Sequence, residues 1–303
     1  MRLTITPTLP FDFDLSAKIF SDGDKQICKY ANGKYWRVIR VSNKLMLCTV
    51  KSIGEVDKPK LLVELKTNES ISENDKKTAR QIICSLFDLK LDLNPFYNSV
   101  KNDEVMSKLT QELRGLKSPT TPSVFEALIY SIIEQQISLN VAFSIEKKFI
   151  KKFGESVKIE DDIYYAFPTP KRLAFANIKE FRACGLSQKK AEYVKEISKL
   201  VIKKKLELEK FKKYGEKSKI IEELCKIRGI GVWTAELTMV RGMHKLDAVP
   251  ADDLGLRRCI SHYYCKDRKI SGEEAREIAK KWGDWQGLAS FYLIMAGRLG
   301  VKV

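Results

Sequence analysis

Ile220-Ile221-Glu222-Glu223-Leu224-Cys225-Lys226-Ile227-Arg228-Gly229-Ile230-Gly231-Val232-Trp233-Thr234-Ala235-Glu236 joins two apolar periodicities through a tight turn. Ile220, Ile221 and Leu224 recur at helical spacing before the turn, and Ala235, Leu237, Met239 and Val240 follow it, so the segment reads as helix, turn, helix. Gly229 and Gly231 give the turn access to positive φ and let its backbone approach a partner closely. Unpaired N–H groups at the start of the second helix can then face a phosphate. The second helix is expected to end at Gly242. After a short loop, Pro250-Ala251-Asp252-Asp253 opens a third helix carrying Arg257 and Arg258, which sets two carboxylates one connection away from an anion-binding turn.

The charge balance suits a polyanionic partner: 55 Lys and Arg stand against 39 Asp and Glu, a net charge of +16. Residues 1–100 hold 16 basic and 12 acidic side chains, an excess of +4, and the remainder carries +12, so the footprint lies in the later part. A length of 303 residues is enough for two domains with separate cores. The seven cysteines are scattered without the close pairs of a zinc site, and His244 and His262 are the only histidines. No metal or cofactor is expected, and the thiols read as reduced, as in an intracellular protein. Met1 to Pro10 is too short and too alternating for a signal peptide, and no apolar run spans a membrane, so no membrane partner is expected; the protein is expected to be a monomer.

Taken in order, residues 1 to about 67 read as β structure. Leu3 and Ile5, then Phe11 and Phe13, alternate with polar neighbours; Tyr35 to Val41 follows an Asn32-Gly33 turn, and Leu45 to Val50 and Leu61 to Leu65 add strands. Ile71 to Leu89 reads as a helix. The fold class expected is α+β, with residues 1–92 a small antiparallel β domain plus helix and residues 93–303 an all-α region. There, helices are expected around Val105 to Leu113, from Pro122 in a first turn to Glu134, over Val141 to Phe153, from Pro170 through Phe181, and after Ser187, with Gly185 as a left-handed cap. Lys203 to Lys213 reads as a solvated helix face. Ser271 caps a helix ending at Trp282, and Ser290 to Leu299 forms the last. Gln135 and Gln136, two adjacent amides ending an apolar helix, read either as helix-end caps or as a contact surface.

The hairpin, the glutamine corner Phe125-Glu126-Ala127-Leu128 through Gln135-Gln136-Ile137-Ser138, the Gly185-Leu186-Ser187 cap and the aspartate loop together resemble the helix-hairpin-helix DNA glycosylase superfamily over roughly residues 115 to 299. The four-cysteine run that holds an iron–sulfur cluster in some members is absent. The resemblance implies a protein that binds damaged double-stranded DNA, everts a nucleotide and breaks the bond between base and sugar. Gly229, Ile230, Gly231 and Thr234 would hold backbone phosphate, and Gln136 would fill the gap left in the duplex. Asp253 would be the catalytic carboxylate, with Asp252 as the alternative and otherwise the helix N-cap.

Trp233 occupies the position of the lysine nucleophile of bifunctional members. The resemblance therefore points to the monofunctional 3-methyladenine DNA glycosylase II group, which uses water. Trp233 and Trp285 would wall the pocket for a cationic alkylated purine. Two further aromatic pocket positions of that group fall on Leu237 and Ile294, and the group's Trp-x-Pro-Tyr-Arg pattern is replaced around Asp284-Trp285-Gln286. An 8-oxoguanine or deaminated-purine glycosylase on the same scaffold, and a non-catalytic DNA-binding protein, are the competing readings.

Overall fold

The computed structural model describes residues 1–303. Five strands, β1 (Arg2–Ile5), β2 (Cys28–Ala31), β3 (Lys34–Val41), β4 (Lys44–Ser52) and β5 (Leu61–Lys66), form an antiparallel sheet in the order β1-β5-β4-β3-β2. Asn32 and Gly33 both take positive φ (51° and 69°), as a two-residue hairpin twisted like its strands requires. Ile5, Tyr35, Ile39, Val50, Val63 and Leu65 pack one sheet face against Ala79, Ile83 and Leu86 of α2 (Glu73–Leu86). Phe11 and Phe13 do not extend the sheet. Asp12 Oδ1 accepts from Leu15 N at 2.8 Å, and this cap turns the segment into the short helix α1 (Phe13–Ala17).

The helical body has two cores that alternate along the chain. One runs from Val124 to Ala248 and is built by α5 (Val124–Glu134), α6 (Leu139–Phe153), α7 (Pro170–Ala174), α8 (Ile178–Ala183), α9 (Gln188–Ile202), α10 (Lys217–Cys225) and α11 (Val232–Met243). The other joins Leu93–Leu116, on α3 (Asn94–Val100) and α4 (Glu104–Glu112), to Val249–Ala296, on α12 (Leu254–Tyr264), α13 (Gly272–Lys280) and α14 (Gln286–Leu299). Ala248 belongs to the first core and Val249 to the second, so the chain crosses the seam between lobes just before Asp253.

Several boundaries differ from expectation for local reasons. Ser123, not Pro122, starts α5, because its extended backbone (ψ 155°) lets its hydroxyl accept from Glu126 N at 3.1 Å. The helix expected through Phe181 is two helices, divided where Asn177 and Glu180 form a capping box. Lys203–Lys213 is not a helix face: α9 stops at Ile202, and a 3-10 turn buries Leu208 and Phe211. Helix α3 and the hairpin β6 (Ser156–Ile159) and β7 (Asp162–Tyr165) were not foreseen; Val157 and Ile159 of that hairpin cover Val38 and Leu47 on the outer sheet face. Ser187 does cap α9 by accepting from Lys190 N, and Gly185 has φ +105°.

Two buried polar contacts fasten the sheet to the body. Arg37 Nη2 donates to Glu126 Oε1 at 2.7 Å, and Lys117 Nζ donates to the carbonyls of Thr8 at 2.9 Å and Leu91 at 2.6 Å. No helix is long and apolar enough to cross a membrane.

Candidate active site

The turn between α10 and α11 needs glycine once, not twice. Gly229 has φ +91°, and a Cβ there would lie 2.3 Å from the Tyr193 ring. Gly231 has φ −102°, an ordinary value, and a Cβ there would meet nothing within 4 Å. Its lack of a side chain serves the outside: it is exposed and forms the N-cap of α11 without any side-chain cap, so the first-turn N–H groups of this 12-residue helix stay open to an acceptor. Ile230 points inward and is 5 % exposed, anchoring the turn in the first core.

The end of α5 holds that turn in place. Gln135 Nε2 donates to Gly229 O at 2.8 Å and to Thr234 Oγ1 at 2.9 Å. Lys190 Nζ donates to the helix-end carbonyls of Ile133 and Gln135 at 2.8 and 2.6 Å, satisfying acceptors that α5 itself leaves open. Gln136 follows with φ +54° and an exposed side chain at the tip of the α5–α6 corner. Of the two glutamines, one is thus the clamp and the next projects. Thr234, expected to face DNA, has its hydroxyl buried and engaged by Gln135; only its backbone N–H remains for a phosphate.

Asp253 sits at the N-terminus of α12, on the lobe seam. Its Oδ1 accepts from Leu256 N at 2.8 Å, so Asp253 is itself the N-cap, a role expected of Asp252. The reason is register: three residues separate it from the first unpaired N–H its carboxylate can reach. Oδ2 makes no hydrogen bond, and Asp253 is half-buried. Asp252 is exposed and lies against Gly272 at the start of α13, where any Cβ would come within 2.1 Å of its Oδ1. Behind this loop Arg276 of α13 donates to both carboxylate oxygens of buried Glu236, at 2.5 and 3.0 Å, tying α13 to α11.

Trp233, the second residue of α11, is half-buried, and Leu237 one turn on is 8 % exposed. Trp285 belongs to the second lobe, its ring 5.8 Å from that of Phe96, and Ile294 packs on the same core. The sequence reading missed Gln135 as a clamp, and also the cluster of Glu134, Arg241 and Glu146, in which Arg241 also feels the charge of Asp253. Arg241 Nη1 donates to Glu134 Oε1 at 2.5 Å. Burial and the nearby Glu134 charge push the Glu146 carboxyl up to about 8, against the pull of Arg241. The adjacent-glutamine signal pointed to the corner, but nothing in the sequence linked it to Arg241.

Residues 129–284 match the model of the HhH-GPD superfamily of base excision DNA repair proteins, and residues 19–128 match that of the 8-oxoguanine DNA glycosylase N-terminal domain. The chain belongs to the helix-hairpin-helix superfamily of base excision repair proteins and is a DNA glycosylase, a hydrolase of N-glycosyl bonds.

Among its relatives, a DNA-3-methyladenine glycosylase of Bacillus subtilis is 32 % identical over 95 % of both chains. The structure of a 3-methyladenine DNA-glycosylase from Archaeoglobus fulgidus superposes with a TM-score of 0.86 at 28 % identity, covering 99 % of this chain and all of that one. A Clostridium acetobutylicum 8-oxoguanine glycosylase/lyase bound to double-stranded DNA shares the fold at TM-score 0.77 and 22 % identity, over 98 % of each chain.

Proposed function

We propose that this glycosylase acts as a monomer on alkylated purines, of the 3-methyladenine and 7-methylguanine type, in duplex DNA, and does so with water alone. The observation that carries the reading is Trp233: the side chain at the mouth of α11, next to the open N-terminal amides, is an indole with no amine to attack the sugar. The Bacillus and Archaeoglobus relatives, both named for 3-methyladenine, support it.

The α11 amides, from Gly231 to Thr234, take the phosphate, and Gln136 enters the space the everted nucleotide leaves. The base rests against Trp233, whose π face attracts a cationic ring by about 0.5–2 kcal/mol. As the N-glycosyl bond breaks, its electron pair leaves with the base, which becomes neutral, and positive charge develops on the sugar. Asp253 Oδ2 stabilises that charge and accepts a proton from the water that adds to the anomeric carbon. Holding Oδ1 in the α12 cap fixes the carboxylate's direction, so no reorganisation is needed as charge appears. Residues 1–92 are proposed as a supporting domain and residues 93–303 as the catalytic body, acting wherever the cell keeps its DNA.

The match to the 8-oxoguanine glycosylase N-terminal domain favours a second reading, excision of 8-oxoguanine or deaminated purines. Incubation with methylated DNA separates the two. Release of 3-methyladenine and 7-methylguanine, abasic sites, and no borohydride-trapped protein–DNA adduct are expected. Release of 8-oxoguanine alone, efficient trapping, or binding without release of any base would overturn the proposal.

A further inference from the structure

Trp233, Leu237 and Arg241 recur every four residues and form one stripe along α11. Trp233 walls the base site proposed above and Leu237 falls on a pocket position by resemblance; Arg241 extends the stripe by one further turn. Its guanidinium has five donors. One is used, Nη1 to Glu134 Oε1 at 2.5 Å, and no other side-chain hydrogen bond forms. Its side chain is 35 % exposed against 10 % for that of Glu134, and neither Nε nor Nη2 is among the buried unpartnered atoms, so both reach solvent.

Glu146 on α6 closes the cluster with Oε1 buried and unpartnered. Burial and the Glu134 charge push its carboxyl up to about 8, which favours the protonated form, and Glu134 offsets Arg241. The wall therefore carries directed donors without net charge, and a cationic base is not repelled.

Resting on the reading of a damaged-purine glycosylase, we propose that Arg241 is a specificity-determining residue of the base site: its free N–H groups donate to the carbonyl oxygen of a 6-oxo purine, favouring guanine- and hypoxanthine-type bases over 6-amino ones. A 6-amino group would set donor against donor and leave the guanidinium unpaired, and pockets built around a polar contact discriminate strongly on that ground.

Methylated DNA supplies both classes at once, 7-methylguanine with a carbonyl and 3-methyladenine with an amino group. Single-turnover release of the two is compared for wild type, Arg241→Met and the double variant Glu134→Gln/Arg241→Met, which leaves no unpaired buried carboxylate should the single variant fold poorly. The ratio of 7-methylguanine to 3-methyladenine release is expected to fall about 10–100-fold in both variants, the value of a charge-assisted hydrogen bond. An unchanged ratio, whether both rates drop together or neither does, overturns the proposal while leaving the alkylpurine reading intact. A wild type that releases neither base overturns that reading itself.

Discussion

Lys117 is fully buried at the junction of the sheet and the helical body, with Nζ donating to the carbonyls of Thr8, Leu91 and, at 3.5 Å, Leu89. No carboxylate pairs with it; Asp88 and Asp92 act only from a distance, and burial pushes its pKa from 10.5 down to about 8. Between those values the unfolded chain holds a proton that the native protein has released. Stability must then rise with pH across this window, the reverse of an acid-paired lysine. The full gain is about 3 kcal/mol, of which about 2 kcal/mol falls between pH 7 and 9.5. Lys117→Met removes the titration while keeping the volume. Urea unfolding of both proteins, followed by tryptophan fluorescence at pH 7, 8, 9 and 9.5, should show wild type gaining on the variant by that amount. A difference that stays flat over the range would refute the argument, since it would mean that the buried ammonium keeps its ordinary proton affinity.

Two further predictions concern the site. Gly229→Ala should cost at least about 1–3 kcal/mol in thermal unfolding, from positive φ and the Tyr193 clash. Gly231→Ala should change stability by no more than about 1 kcal/mol and instead weaken binding to an abasic-site duplex in fluorescence anisotropy; equal loss of stability in both would contradict the division of roles. Glu146→Gln should leave stability near that of wild type at pH 5 and exceed it increasingly toward pH 8. The raised carboxyl favours the native state only while the unfolded chain is also protonated, and that contribution fades as pH climbs toward about 8. A constant gap in melting temperature would sink this.

What the sequence made legible was what short-range rules govern. The Asn32-Gly33 turn and the Ser187 and Ser271 caps each rest on residues within four positions of one another, and Gly229 is marked by its own positive φ. The unforeseen features are long-range. Val157 and Ile159 become a hairpin only because Val38 and Leu47 offer an apolar outer sheet face more than a hundred residues earlier in the chain. Arg241 finds Glu134, and Lys117 finds Thr8, across separations of 107 and 109 residues. The two-lobed body is also invisible locally, since one core is assembled from segments on either side of the other. Asp252 and Asp253 were told apart by resemblance, and their roles as cap and neighbour came out exchanged because a one-residue shift decides which carboxylate reaches Leu256 N.

The account stands most directly on Asp253→Asn. Asparagine caps a helix as well as aspartate does, so the α12 start and the fold should survive, and affinity for a duplex bearing an abasic analogue should stay within about threefold. Only the negative charge of the side chain is lost. Base release from methylated DNA in single turnover should fall by about 10²-fold or more, whereas an undiminished rate in the folded, DNA-binding variant would contradict the claim that this carboxylate stabilises the departing bond.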